Sequence, residues 1–371
     1  MSDEQSLRDG MGLALSGGGF RATLFHVGSL WRLNELGLLG KIERICSVSG
    51  GSITAGVLGY KWKLLKFDGN GVAVNFVEEV VNPLRSLCSL DVDVSAGIEG
   101  MISVFRSISD MVTAKYEEHL FGSATLQDLP SDAEGPDFTI YATSLQTGDS
   151  VRFSRNYLSD YKIGMIRNPD ISLATAVAAS SAFPPVLSPV ILEPKGEWVR
   201  LEGAYMFDQK EYRDKMVLTD GGVYDNLGLE AIWNNYKTVL VCDAGAPLSA
   251  ESDPPTDWPK QLLRALVIIS EQTRALRKRR LVEDFIRKER QGTYWGVMTH
   301  VNDYQLPDAI AKDSQLTASL SKMRTRLNSF SAEEQGHLVN WGYALADTAL
   351  RKHVLQPGVS SGSWPVPDYP L

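Results

Sequence analysis

Three short segments of this 371-residue sequence carry residue types that nucleophilic catalysis requires. The first is a glycine triplet, Gly17, Gly18 and Gly19, the second contains Ser49, and the third contains Asp220. A serine becomes a nucleophile when a nearby base takes its proton, and the oxyanion that then forms needs amide donors. The three segments could supply these three functions.

The glycine triplet lies between a predicted strand (residues 11–15) and a predicted helix (residues 21–39). Glycines permit a sharp turn whose amides point outward, and the N-terminus of the helix adds partial positive charge. With Arg21 alongside, the segment predicts an anion site, either for a phosphate or for the oxyanion of acyl transfer. A tight turn that binds nothing is the plainer interpretation.

The same loop matches a dinucleotide-binding pattern through Gly17, Gly19 and Ala22. Such a site needs a second strand that ends in an acidic residue able to hold a ribose. The next predicted strand runs instead into Ser47 and Ser49. A dinucleotide-binding or anion-binding module is therefore kept only as an alternative.

Ser49 follows a predicted strand (residues 42–48) and precedes a helix of small residues (about 52–64). This is the setting of a nucleophile elbow, a sharp strand-to-helix turn that lifts a serine Oγ above the sheet. Gly51 leaves room for that turn, whereas Ser47 stands where a glycine is more usual. A serine- and glycine-rich turn without catalysis is the alternative.

A full G-x-S-x-G match occurs elsewhere, at residues 358–362. It falls in a tail (residues 356–371) with four prolines and without a predicted strand or helix beside the serine. Because the motif needs that structural context, we assign the nucleophile to Ser49 and expect the tail to follow the surface or to be loose.

The five histidines offer no good candidate for the base. His26 falls in the helix after the glycine loop, where we expect it to pack or cap, and His337 and His353 lie in C-terminal helical patterns. His300 follows a short apolar run without turn chemistry.

Asp220 is a better candidate, because it directly follows a short predicted strand (residues 217–219). Gly221 and Gly222 would let another loop approach closely. A partly desolvated carboxylate at a sheet edge has a raised pKa and can accept a serine proton. An ordinary Asp-Gly turn is the alternative.

Apolar strand-like runs alternate with helical patterns along the chain, which predicts an α/β protein with a largely parallel sheet between helices. Residues 138–145 and 150–154 predict a hairpin, and residues 238–242 another strand. Long helical patterns cover residues 262–290 and 331–350.

The composition, with a net charge of −8, 43% hydrophobic and 22% charged residues, describes an ordinary folded protein. An acidic chain lacks the basic surface of a duplex nucleic-acid binder, and no apolar run reaches the ~18 residues of a membrane span. Three scattered cysteines favour neither a disulfide scaffold nor a zinc cluster. The polar N-terminus does not resemble a secretory signal, so we expect a cytoplasmic protein.

In their order and spacing, the three segments resemble the patatin-like phospholipase family, whose pattern is G-G-G-x-R-G, then G-x-S-x-G, then D-G-[AG]. Residues 178–185 resemble the small-residue helix and proline pair that precede the family's aspartate strand. The resemblance covers about residues 10–245 and departs from the pattern at Ala22 and Ser47, which replace glycines.

The resemblance implies a three-layer α/β/α fold over residues 8–350, with a motif-bearing core (about 10–245) and a helical extension (about 258–350). It implies a dyad in which Ser49 is the nucleophile and Asp220 the base. It also implies supporting positions in the oxyanion loop and beside the dyad: Gly17, Gly18, Gly19, Arg21, Gly51, Gly221 and Gly222.

The implied substrates are phospholipids, lysophospholipids or other acyl esters, cleaved through an acyl-enzyme without a cofactor or a metal. A catalytically silent relative that binds or regulates is the main alternative. The sequence indicates no particular oligomeric state.

Two segments could give peripheral contact with a membrane. Between residues 95 and 116 an apolar set recurs at helical spacing: Ile98, Ile102, Phe105, Ile108, Met111 and Val112. A helix packed on the core is the alternative. Residues 274–290 are locally basic and could meet anionic headgroups or an anionic regulator, unless they form a solvated face with pairs such as Glu283–Arg287.

Overall fold

The computed structural model describes residues 7–92 and 107–371. The β-strands are β1 (Arg8–Leu15), β2 (Ile42–Val48), β3 (Asp137–Ser144), β4 (Ser150–Phe153), β5 (Tyr157–Asp160), β6 (Gly164–Arg167), β7 (Val190–Leu192), β8 (Trp198–Val199), β9 (Met216–Asp220), β10 (Tyr236–Asp243) and β11 (Gln291–Gly296). The α-helices are α1 (Gly19–Glu35), α2 (Gly50–Lys61), α3 (Asn82–Leu87), α4 (Ile108–Tyr116), α5 (Leu173–Ser180), α6 (Glu211–Asp214), α7 (Gly222–Asp225), α8 (Glu230–Trp233), α9 (Trp258–Ile286), α10 (Gln315–Leu320) and α11 (Ala332–His353).

These strands form one mixed sheet. Its parallel part has the order β11-β10-β1-β2-β3, and an antiparallel extension continues through β4, β5, β6 and β8. The short strand β9 pairs antiparallel with β3 and with β7. The hairpin predicted at 138–154 is confirmed as β3 and β4, whereas the rest of the antiparallel extension was not predicted.

The two faces of the parallel strands bury separate sets of side chains, which confirms the three-layer α/β/α fold. Along β1, Leu13 and Leu15 join the larger hydrophobic cluster, which includes side chains from α1, α2 and α11, while Ala14 joins the smaller one. The smaller cluster includes Ile232 of α8 and Leu281 of α9. Near-continuous apolar strands are what a sheet covered on both faces requires.

The predicted strands at 11–15, 42–48, 217–219 and 238–242 are confirmed as β1, β2, β9 and β10. The helix predicted to reach residue 39 ends at Glu35, because Gly37 takes a positive φ of 62° there. The helix predicted at 262–290 begins earlier, where the Asp257 side chain caps the amide of Lys260.

The structure describes only part of the apolar segment between residues 95 and 116 that could contact a membrane. Ile98, Ile102 and Phe105 lie outside the described residues, and α4 begins at Ile108. In α4, Val112 and Tyr116 are buried in the core, as the packed-helix alternative predicts.

The C-terminal tail follows the surface of α11, one of the two expected courses. The side-chain amide of Asn340 donates to the carbonyl oxygens of Val366 and Tyr369. The backbone amide of Val366 donates back to Asn340 Oδ1 at 3.0 Å, so the tail is anchored at a defined point.

Candidate active site

The strands β2 and β9 end against one another on the same edge of β3. Val48, the last residue of β2, pairs with Tyr141, and Asp220, the last residue of β9, pairs with the next residue, Ala142. Strand β4 occupies the opposite edge of β3 at both positions. Because β2 is parallel and β9 antiparallel to β3, their carboxyl ends meet, which brings Ser49 beside Asp220.

Ser49 forms a tight elbow between β2 and α2. Its φ of 52° is unusual for a residue with a side chain, and such strain is typical of functional turns. The Ser49 amide donates to Ser180 Oγ at 2.9 Å. A Cβ at Gly51 would lie 2.4 Å from the Leu15 carbonyl oxygen, so glycine is required there for α2 to approach β1.

Ser47, which departs from the motif, is accommodated by a local hydroxyl chain. It is fully buried and accepts a hydrogen bond from Ser52 Oγ at 3.0 Å. Ser52 in turn contacts Ser180 Oγ at 2.8 Å. The substitution therefore leaves the turn intact and satisfies its own hydroxyl.

Asp220 is 2% exposed, and its carboxylate is held by the chain around it. The amide of Gly222 donates to Asp220 Oδ1 at 2.7 Å. Burial raises the pKa of Asp220 from 3.8 to about 7, while the Gly222 amide and the Ser49 side chain lower that pKa to a smaller extent. An aspartate with a pKa near neutrality has the basicity that a general base needs.

The two glycines after Asp220 allow close backbone contact. A Cβ at Gly221 would lie 2.4 Å from the Tyr141 carbonyl oxygen, and one at Gly222 would lie 2.6 Å from Asn226 Oδ1. The amide of Gly221 donates to the Ser180 carbonyl at 3.2 Å. The close packing beside the candidate base therefore leaves no room for a side chain at Gly221 or Gly222.

The glycine loop lies across from Ser49, with φ of 140° at Gly18 and 57° at Gly19. Within the described residues, no backbone or side-chain acceptor takes the amide hydrogens of Gly18 and Gly19. The Gly17 amide, by contrast, donates to the Asn226 carbonyl at 3.1 Å. Of the three amides, those of Gly18 and Gly19 could therefore donate to an anion, whereas the Gly17 amide is engaged within the protein.

Arg21 is buried and binds backbone carbonyls. Its guanidinium donates to the carbonyls of Ala244 at 2.7 Å, Ser321 at 2.8 Å and Met323 at 3.0 Å. The side chain thus ties the start of α1 to two C-terminal loops, which agrees with a supporting position.

His26 packs inside the protein, as expected. Its Nε2 donates to the Ser16 carbonyl at 2.8 Å, and its Nδ1 contacts Cys242 Sγ at 3.0 Å. Burial lowers the pKa of His26 to about 4, which keeps the ring neutral near pH 7. The ring steadies the residue just before the glycine loop.

A cavity of about 330 Å³ opens above Ser49 and Asp220. Residues after position 180 supply most of its remaining wall: Ser181, Phe183, Pro184, Val186, Leu187, Asn226, Ala246, Val267, Ser270, Glu271, Arg274, Thr325, Arg326 and Leu327. The apolar members of this set suit an acyl chain, and the polar members suit the polar end of a substrate.

Sequence reasoning missed two residues that join the segments. Ser180 accepts the Ser49 amide through its hydroxyl and the Gly221 amide through its carbonyl. Asp225 accepts the amides of Leu227 and Leu229, which fixes the turn that presents Asn226. The segment 178–185 that resembles the family contains Ser180 without indicating its role, and Asp225 belongs to an Asp-Asn pair typical of turns.

The basic segment at 274–290 is less available than its composition suggested. Arg274 is buried and pairs with Asp243 at 2.7 Å, and Arg277 lies 3.5 Å from Asp225. Arg280 pairs with the buried Asp284 at 3.2 Å and remains exposed. Part of this basic cluster therefore holds α9 to the body of the protein.

In the described ranges, 7–92 and 107–371, no three His, Cys, Asp or Glu side chains group as metal ligands. Across the same residues, no helix is both long and apolar enough to cross a bilayer.

Comparison with solved structures finds similarity at low sequence identity. Human GIVD cytosolic phospholipase A2 in complex with methyl gamma-linolenyl fluorophosphonate inhibitor and terbium chloride is 15% identical, covering 91% of this chain and 57% of that one at a TM-score of 0.52. Another structure of human GIVD cytosolic phospholipase A2 is 14% identical (92% and 61% covered, TM-score 0.49). VipD from Legionella pneumophila is 16% identical (91% and 66% covered, TM-score 0.38).

This chain thus spans between 57% and 66% of the length of those proteins. No curated protein sequence matches it significantly. The family model described as patatin-like phospholipase matches residues 13–233, which is more than half of the chain. The chain belongs to the patatin-like phospholipase family.

Proposed function

We propose that this protein is a lipid acyl hydrolase that cleaves carboxylic esters with Ser49 as nucleophile and Asp220 as general base. The observation that carries the proposal is the meeting of β2 and β9 on one edge of β3, which sets a strained serine against a buried carboxylate. A general base must first lie within hydrogen-bond reach of the hydroxyl whose proton it takes, and only then does its pKa decide whether it can act.

The reaction follows from the positions of these groups. Asp220 takes the Ser49 proton as Oγ attacks the ester carbonyl, and the new oxyanion accepts hydrogen bonds from Gly18 and Gly19. Asp220 then returns the proton to the departing alkoxide, which leaves an acyl group on Ser49. Asp220 next takes a proton from a water molecule whose oxygen attacks the acyl carbonyl. As the acyl–Oγ bond breaks, Asp220 returns this proton to Ser49 Oγ and the carboxylic acid leaves.

The apolar side of the cavity supports a lipid substrate. Phe183, Val186, Val267 and Leu327 line it together with the dyad. Burying methylene groups there contributes about 0.8 kcal/mol each, so longer acyl chains should bind better. We propose phospholipids, lysophospholipids or similar acyl esters as substrates, reached in the cytoplasm or at a membrane surface.

A fluorophosphonate probe, which bonds to an activated serine Oγ with loss of fluoride, tests the proposal directly. We expect mass spectrometry to find the adduct on Ser49, and Ser49→Ala and Asp220→Asn to abolish both labelling and ester hydrolysis. Labelling should slow as the pH falls below about 7, where the pKa of Asp220 lies.

Ser360→Ala is the matched control, because Ser360 belongs to the full G-x-S-x-G string in the tail. This variant should label and hydrolyse like the wild type. An unlabelled but folded wild-type protein would point instead to a silent member of the family.

A further inference from the structure

Helix α9 carries an apolar stripe that faces solvent. Trp258, Leu262, Ile269 and Leu276 are 77%, 63%, 63% and 59% exposed. Their spacings of four, seven and seven residues place them on one face of the helix. We call these four residues the outer stripe.

The opposite side of α9 closes the candidate active site. Val267 and Arg274 line the cavity, and Arg274 is fixed to Asp243. Val267 is also 40% exposed, as are the other cavity residues Phe183 (42%) and Val186 (45%). These three residues form an apolar rim, so α9 links the cavity entrance to the outer stripe.

The face of the outer stripe becomes basic toward the C-terminus of α9. Arg280 lies four residues after Leu276, and Arg287, at the C-cap, follows seven residues later. Both side chains are exposed, as is the neighbouring Arg279. Against the three arginines stand the exposed Glu283 and the buried Asp284 that pairs with Arg280, which leaves a small net positive charge beside the apolar stripe in a protein whose net charge is −8.

A bilayer with anionic headgroups complements this combination. An interfacial helix buries its apolar side chains at the boundary of headgroups and acyl chains, and basic residues add attraction to anionic lipids. A tryptophan at one end suits the same boundary. A second copy of the chain could cover the apolar residues. Its own arginines, however, would either repel those of the first copy across the interface or remain without an anionic partner.

We propose that the outer stripe, with Arg279, Arg280 and Arg287, is the surface on which the protein docks to an anionic bilayer. Val267 of the apolar rim lies on the other side of the same helix, so docking holds the cavity entrance about one helix diameter, roughly 10 Å, from the bilayer, within reach of an acyl ester that leaves the membrane. This route rests on the proposed function, whereas docking itself does not require catalysis.

Docking is measured with the Ser49→Ala protein, so that hydrolysis does not alter the membrane. Vesicles of phosphatidylcholine and phosphatidylglycerol in equal parts should co-sediment the protein, and vesicles of phosphatidylcholine alone should bind it more weakly. The double variant Leu262→Glu/Ile269→Glu should bind anionic vesicles at least about tenfold more weakly. Arg279→Gln/Arg287→Gln should reduce the preference for the anionic vesicles.

Val74→Glu is the matched control, since Val74 is 67% exposed and its neighbour Ala73 contacts Asn34, near the end of α1 far from the glycine loop. It should bind like the parent protein. Equal binding by the Leu262→Glu/Ile269→Glu variant overturns the proposal. So does a dimer that this variant converts to a monomer, because the stripe then belongs to a second copy.

Fluorophosphonate labelling in detergent-free buffer separates the two proposals. If the Leu262→Glu/Ile269→Glu protein with an intact Ser49 still labels but binds vesicles as well as the wild type, docking fails and the proposed function stands. If the wild type does not label, the proposed function fails whatever the vesicles bind.

Discussion

Two buried aspartates near the cavity have pKa values that are shifted in opposite directions. Asp220 is surrounded by amide and hydroxyl groups, and burial raises its pKa to about 7. Asp243 is equally buried, yet the Arg274 guanidinium and the Tyr294 hydroxyl hold its pKa below the usual value. One carboxylate is therefore suited to exchanging a proton and the other to anchoring α9.

The raised pKa of Asp220 predicts how stability depends on pH. The unfolded carboxyl loses its proton near pH 3.8 and the folded one near pH 7, so the free energy of unfolding falls as pH rises across that window. Asp220→Asn keeps the acceptor for Gly222 and removes this loss. We expect the variant to be more stable than the wild type by about 2–4 kcal/mol at pH ~8.

Urea unfolding at several pH values measures this difference. The advantage of the variant should shrink toward zero as pH falls below about 3, where the Asp220 carboxyl is protonated in both the folded and the unfolded protein. A difference that is the same at both ends of the range would mean that Asp220 titrates normally in the folded protein.

At the scale of elements, the sequence predicted the strands before each loop but not how they meet. The elbow after β2 and the turn after β9 could be predicted from Ser49-Gly50-Gly51 and Asp220-Gly221-Gly222. A glycine pair after an apolar run favours a turn through the local backbone preferences of glycine alone. The antiparallel placement of β9 beyond the end of β2 could not be predicted, since it depends on pairing with β3 across 74 to 78 residues of chain. The hydrogen bonds from the Ser49 and Gly221 amides to Ser180 likewise join segments that are far apart in the sequence, so they could not be predicted from it.

The approach of α2 to β1 gives a prediction for the elbow. In Gly51→Ala the new methyl group would meet the carbonyl oxygens of Leu15 at 2.4 Å and Ser16 at 2.7 Å, and backbone atoms cannot easily move. We expect a loss of about 1–3 kcal/mol in stability and a roughly hundredfold slower labelling of Ser49, because the nucleophile shifts from the oxyanion donors.

Gly56→Ala, in the same helix, is the matched control. Its methyl group would meet the ring tip of Phe121 at 3.0 Å and a methyl group of Val177 at 3.1 Å, which are side-chain atoms that can adjust. We expect stability within about 1 kcal/mol of the wild type and unchanged labelling. Similar losses in both variants would indicate that α2 tolerates no added volume at all, and the elbow explanation would fail.

At the scale of the whole molecule, the catalytic segments depend on chain far beyond them. The family match ends at residue 233, yet cavity residues from Ala246 to Leu327 lie outside it. Arg21, beside the glycine loop, binds the carbonyls of Ser321 and Met323. We therefore expect residues 8–350 to unfold as one unit, although the sequence motifs alone gave the C-terminal part no role at the site.

The contact between α1 and α11 allows a test of whether residues 8–350 unfold as one unit. The two helices touch through their backbones: a Cβ at Gly342 would lie 1.9 Å from the Phe25 carbonyl oxygen, and Ser29 Oγ donates to the Gly342 carbonyl at 2.9 Å. Gly342→Ala should therefore lower the free energy of unfolding by about 1–3 kcal/mol, despite the better helix propensity of alanine. Gly40→Ala, where a Cβ meets nothing within 4 Å, should change little.

In urea, the near-UV circular dichroism signal and Ser49 labelling should be lost together in every variant, with both midpoints shifted alike by Gly342→Ala. Labelling that outlasts the circular dichroism signal would mean that the motif-bearing part holds the active site without α11, because a single cooperative unit loses both at the same urea concentration.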